Sequence, residues 1–246
     1  MNRNLPLKKN SPNERVLEPD IKTLVLNKLF SSGKLNSRPL IVNELTLNNF
    51  SRRVDLAVFE NNCFSAFEIK SESDSLSRLE GQTKTYLEYF DKVIVVAASK
   101  HIQNVKNIVP ENVGIWEIRD NKIIILKRGK IRRVKEPIKL IQTMKVDELA
   151  KLATKENLSL KTKNRKSLEN ALSKTPVKRL RSHVYTSLLS RFNTGLNQFY
   201  DAIYGRTISN NDLDILSRFK AQKKFQHAKK AKRKEQWAQF LERTEL

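Results

Sequence analysis

The chain has 246 residues, 39% of them hydrophobic, with one cysteine, three histidines and a formal net charge of +22. A single cysteine, Cys63, excludes an intrachain disulfide and any Cys-cluster zinc site, and His101, His183 and His227 do not supply the missing ligands. Six glycines and seven prolines exclude a fibrous or loop-dominated chain, and no apolar run suits a signal peptide or a bilayer span, which places the chain in a reducing, cytoplasmic compartment.

The charge is unevenly divided. Residues 1–126 hold 18 Lys and Arg against 15 Asp and Glu, a net of +3, whereas residues 127–246 hold 30 against 11, a net of +19. A near-neutral half joined to a strongly basic one reads as a catalytic body with a polyanion-binding extension. Anionic membrane is the rival partner, but it calls for a basic helix with an aromatic-rich apolar face. Nucleic acid is the better match.

In chain order, residues 1–17 read as a flexible basic arm. Asp20 can cap a helix through Ile21, Leu24, Val25 and Leu29, which the Ser31-Ser32-Gly33 cluster stops. Strand-like runs follow at 39–47, 52–59 and 63–70. Asp74 or Ser75 then starts an amphipathic helix to about Phe90, with Leu76, Leu79, Thr83, Leu87 and Phe90 toward the core. The run 93–98 is continuously apolar, as in a strand buried on both faces. A short helix after Ser99 and strands at 113–118 and 122–127 complete the half. Helices among strands predict an α/β domain, 18–134, with a mixed sheet flanked by helices. From 142 to 246 the pattern is helical and basic.

The stretch that carries chemistry is R-R-V-D-L-A-V-F-E-N-N-C-F-S-A-F-E-I-K, residues 52–70. Asn61-Asn62 between two alternating runs suits a two-residue hairpin turn. That register pairs Glu60 with Cys63, sets Asp55 opposite Glu68 and Arg53 opposite Lys70. Side chains so placed are roughly 5 Å apart at Cβ, and like charges there repel. A divalent cation relieves the repulsion, because Mg²⁺ accepts one or two carboxylates together with waters and a substrate phosphate. Lys70 shares the face and can reach the same phosphate or an attacking water. The plainer alternative is a solvated ion pair on a surface hairpin, which the apolar neighbours Ala57, Phe59, Phe64 and Ala66 on that face disfavour.

These residues, with Gln82 on the helix that follows, resemble the PD-(D/E)XK restriction-endonuclease-like superfamily. The segments 44–56 and 68–74 are most similar to its MmcB-like and prophage-associated branches. The resemblance covers about 18–126 and implies a nuclease using Mg²⁺ or Mn²⁺. Asp55, Glu68 and the Ile69 carbonyl would hold metal, Lys70 would orient the water and Gln82 would support the site. Glu44 matches the upstream acid, with Glu18 or Asp20 as alternatives. Val54 stands where the superfamily name has Pro. Without the resemblance, Gln82 forms a stripe with Arg78 and Tyr86 that reads as a solvated helix face, Asp74 reads as a helix cap, and Glu80, Lys84 and Glu88 read as surface.

In the basic half, helices expected at about 146–156 and 165–173 flank an extended N-L-S-L-K-T-K-N. Residues 144–174 resemble a SAP-type DNA-binding motif, without its usual turn glycine. An ordinary helical hairpin is the alternative. Lys161, Lys163, Arg165, Lys166, Arg179 and Arg181 are the expected phosphate contacts. The stretch 182–204 has helical spacing and aromatics that read as packing, and the end of the chain reads as a basic helix or tail. The whole predicts a metal-dependent DNA endonuclease, with homodimerisation left open. A non-catalytic DNA-binding or recruitment protein and an RNA-binding protein are the alternatives.

Overall fold

The computed structural model describes residues 16–33, 38–47 and 52–217. Most of the basic arm expected over 1–17, and the basic tail beyond 217, lie outside the described residues. The first half comprises α1 (Glu18–Ser31), β1 (Leu40–Leu47), β2 (Arg52–Glu60), β3 (Cys63–Lys70), α2 (Leu79–Tyr89) and β4 (Lys92–Ala98). A 3-10 turn (Ser99–His101), α3 (Ile102–Ile108), β5 (Gly114–Arg119) and β6 (Lys122–Lys127) complete it. Helices α4 (Pro137–Ile141), α5 (Val146–Lys155), α6 (Arg165–Leu172), α7 (Val177–Ala202) and α8 (Asn210–Leu216) follow.

The fold is α/β, as expected: one mixed six-stranded sheet in the order β1-β2-β3-β4-β5-β6, flanked by helices and followed by a helical region. β1, β2 and β3 pair antiparallel, β3, β4 and β5 parallel, and β6 antiparallel to β5. Connection length decides this. Asn61 and Asn62, at φ 49° and 57°, close β2 onto β3 in two residues, whereas the α2 crossover is long enough to return the chain parallel. Asp120 and Asn121 repeat the two-residue turn between β5 and β6. The register expected from the paired asparagines is observed, with Glu60 opposite Cys63 and Leu56 opposite Phe67.

Two helix starts differ from expectation. α1 begins before Asp20, whose carboxylate reaches back to accept the Leu17 N–H at 2.8 Å. α2 begins at Leu79 because the Asp74 carboxylate turns back on Ser71, accepting its N–H at 2.7 Å. Asp74 therefore closes a turn, and does not cap α2.

The second half is packed onto the first. α7, about 39 Å long at the usual rise, lies against β1 and α8, and α8 lies against α1 and β1. The Tyr200 hydroxyl donates to the Pro39 carbonyl at 2.6 Å, and the Asn27 side chain exchanges two 2.9 Å hydrogen bonds with the Ile208 backbone. Apolar side chains from both halves join one core, from Leu26 and Leu40 to Leu188 and Leu213.

The strongest tie is polar. Asp91, with no exposed side-chain surface, accepts the Phe64 N–H at 2.8 Å and the Val134 N–H at 2.9 Å. Arg181 of α7 grips it with two guanidinium nitrogens, at 2.9 and 2.6 Å, and also donates to Asn62. Its guanidinium carbon lies 4.2 Å from the centre of the Phe64 ring. Arg181 is 5% exposed, so the expectation that it contacts DNA phosphates is corrected: it clamps the β2–β3 turn to α7.

Candidate active site

β2 and β3 deliver Asp55, Glu68 and Lys70 to one place because alternate residues of a strand share a face. The regular ladder is recorded as far as Leu56–Phe67. At the next position the half-buried Asp55 side chain takes over, its Oδ2 accepting the Ile69 N–H at 2.8 Å. An extended residue presents its N–H and C=O to the same edge, so the Ile69 carbonyl faces β2 as well.

Glu68 is buried at 1% exposure. Its Oε1 accepts from Lys70 Nζ at 2.7 Å, and Lys70 Nζ also donates to Gln82 Oε1 at 3.2 Å. The helix face carrying Gln82 thus looks at the carboxylates, and the solvated-stripe reading is corrected for two of its three residues. Tyr86, one turn beyond Gln82, is fully buried. Its hydroxyl lies 2.9 Å from Glu68 Oε2 and 2.7 Å from the Arg53 carbonyl, and its single proton serves one of them at a time. Burial first, then the charges of Glu68 and Asp55, hold this phenol well above the usual tyrosine range.

Burial, followed by repulsion from Glu68, pushes the Asp55 carboxyl up to about 7. The Ile69 N–H opposes this, Glu18 adds a smaller upward push, and Lys22 pulls down. Lys22 is buried, paired with Glu18 at 2.6 Å and hydrogen-bonded to Asn43 at 2.9 Å. Of the three candidate upstream acids, Glu18 is therefore the one whose charge acts on Asp55. Glu44 sits in the left-handed region at φ 64° and turns to Arg53 at 3.4 Å, and Asp20 serves the α1 terminus and Asn210.

A carboxyl with a raised folded-state pKa contributes stability that is fully present below its unfolded pKa and is lost as pH rises through the folded value. For Asp55 that window runs from about 3.8 to about 7. In EDTA, Asp55→Asn is expected to melt above wild type at pH 8, with the gap closing as the pH falls toward 4. Parallel melting curves at both pH values would show that burial and Glu68 do not raise the Asp55 carboxyl in the folded protein.

Of the expected phosphate contacts, Lys161, Lys163 and Lys166 are exposed, the first two between α5 and α6 and the third on α6. Asn157, just after α5, takes a left-handed turn position at φ 55°. Arg165 is committed elsewhere, to Glu169 at 2.8 Å and to the Met144 and Gln142 carbonyls. Exposed Arg179 pairs with Glu156 at 2.6 Å. Reading by residue type offered Glu18 as an alternative upstream acid but missed the burial of Tyr86, Lys22 as a charge near Asp55, and the Asp91–Arg181 clamp. The i, i+4 spacing of Gln82 and Tyr86 was the available signal for the first. Among the described residues no group of three or more His, Cys, Asp or Glu side chains converges, and no helix is long and apolar enough to cross a membrane.

Residues 11–217 match the family profile described as bacteriophage P4 protein cII. The chain is 33% identical over 213 residues to Protein cII of Enterobacteria phage P4, covering 84% of this chain and 80% of that protein. Among solved structures it is similar to a protein of unknown function from Silicibacter pomeroyi, with a TM-score of 0.38 and 14% identity over 61% of this chain and 90% of the other. The match spans the sheet, the Asp55–Glu68–Lys70 constellation and α1 through α8 alike, and the chain belongs to the bacteriophage P4 protein cII family.

Proposed function

We propose that the chain is a cytoplasmic, restriction-endonuclease-like deoxyribonuclease that hydrolyses DNA phosphodiesters with Mg²⁺ or Mn²⁺. One observation carries the reading: Asp55, Glu68, Lys70 and Gln82 meet around a carboxylate that is 1% exposed. The donor set fits a hard cation. Asp55 spends Oδ2 on the Ile69 N–H, its charge repels that of Glu68, and Mg²⁺ binds through one or two carboxylates, filling its other positions with water and phosphate. The upward push on Asp55 is what a nearby cation would reverse. When bound, the metal would polarise a phosphodiester and acidify a water.

The chain's own residues do the rest. Lys70 Nζ brings positive charge to the carboxylates, where it can meet a phosphate oxygen or orient water. Gln82 fixes that ammonium from α2, and Tyr86 holds the far oxygen of Glu68. The exposed lysines around α6 and the net charge of +19 after residue 126 support DNA as the polyanion.

A second reading has its own support. Both Glu68 oxygens already have partners, Lys70 and Tyr86, as in an ion pair that serves only the fold of a DNA-binding or recruitment protein. Incubating supercoiled plasmid, branched DNA and linear duplex with the full chain separates the two. Nicked or linear products are expected with Mg²⁺ or Mn²⁺ and none in EDTA. Intact DNA on every substrate with either metal overturns the nuclease reading and leaves the binding protein.

A further inference from the structure

Between α5 and α7, away from the carboxylates, lies a groove of about 390 Å³. Lys151 and Lys155 reach it from α5, one helical turn apart, and Thr186, Ser187 and Ser190 bring hydroxyls from α7. Neither lysine enters an ion pair among the described residues, and both are exposed. The groove's half-buried carboxylate, Glu148, is already neutralised by Arg191 at 3.0 Å and accepts the Lys145 N–H at 2.7 Å. Asp147, on the first turn of α5, is the remaining acid.

We propose that this groove binds phosphates of the duplex DNA backbone. The inference takes its partner from the DNA reading above but does not require cleavage. Ammonium groups and hydroxyls are the donors that proteins turn to phosphate oxygens. The lining also distinguishes among polyanions. Its apolar member, Leu152, is 2% exposed, so the groove offers no apolar face to enter a membrane interface. No Phe, Tyr or Trp lines it among the described residues, and single-stranded RNA is held by stacking on several such rings, where the groove has only the imidazole of His183. Contact with a duplex backbone needs neither.

His183 lies in the same groove, half-buried. Burial first, then Lys155 and Arg179, push its pKa down, with Glu156 opposing. A phosphate among these cations reverses the push, so binding takes up a proton and strengthens as pH falls.

The experiment measures anisotropy of a labelled duplex with the full chain in EDTA, so that loss of the nuclease reading and loss of this one are separate results. Lys151→Ala with Lys155→Ala is expected to lower the slope of log K against log salt by about 1.8, two contacts at 0.9 each, which is about tenfold in affinity between 50 and 200 mM. A control removing Lys106 and Lys122, exposed on α3 and β6, should lower it less, and arginine at 151 and 155 should restore it. His183→Asn should flatten the rise in affinity between about pH 8 and 5.5. Equal slopes for the groove and control variants overturn the proposal. So does a loss confined to single-stranded RNA or to phosphatidylserine vesicles.

Discussion

Asp55→Asn is expected to slow Mg²⁺-dependent DNA cleavage by about 10²–10³-fold, the usual loss when one charged or hydrogen-bonding group is removed from a transition state, with duplex affinity in EDTA unchanged. The substitution is nearly isosteric, and the Asn carbonyl can still accept the Ile69 N–H that Asp55 accepts at 2.8 Å. What disappears is a negative charge beside Glu68. Stability should not fall, because burial first and Glu68 second disfavour that charge in the metal-free protein. Lys70 makes a poorer first probe. It is 6% exposed and bonded to Glu68, so truncating it strands a buried carboxylate and confuses lost chemistry with lost fold. Lost cleavage with an unchanged or raised melting temperature and intact binding supports the catalytic role. Full cleavage by Asp55→Asn would remove Asp55 from the chemistry.

Arg181→Met is expected to cost about 3 kcal/mol of stability, the lower end of the range for breaking a buried ion pair. The arginine supplies two hydrogen bonds to a carboxylate with no exposed surface and two more to Asn62. The Phe64 and Val134 N–H groups and Arg133 remain to hold Asp91, which keeps the loss from the upper end. Chemical denaturation of the full chain measures it. A loss below about 1 kcal/mol, the scale of an exposed pair, would show that the guanidinium contributes little. The same contact bears on any attempt to isolate residues 1–134, which would leave Asp91 without Arg181 and strip α7 and α8 from β1.

The sheet was legible because its determinants are local. Paired asparagines admit positive φ, and alternation and apolar runs mark β2, β3 and β4 to within a residue. The Asp55–Glu68 juxtaposition follows from the same turn by counting. What escaped was non-local or decided by competition. Asp74 resembles a helix cap in sequence, but the nearer Ser71 backbone captures it. Tyr86 looks polar on a helical wheel, yet a hydroxyl satisfied by Glu68 and Arg53 can be buried whole. Arg181 sits in a basic run and reads as a phosphate contact. Its partner is 90 residues earlier, and nothing in either neighbourhood names the other.

That separation also bears on how the molecule is made. The Asp91 carboxylate reaches its full set of partners only when Arg181 joins Arg133 beside it, and an under-paired buried charge costs several kcal/mol. A ribosome adding 5–20 residues per second takes on the order of 5–20 s to bring out the 90 residues between the two. Tyr200 must return 161 residues to Pro39, and Ile208 must return 181 to Asn27. Native closure thus waits until α7 and α8 have been made. Until α7 emerges, the β2–β3 hairpin that carries Asp55 and Glu68 stands without the Arg181 clamp on its turn, so the strands that bear the carboxylates are tied down only after a further 90 residues are made.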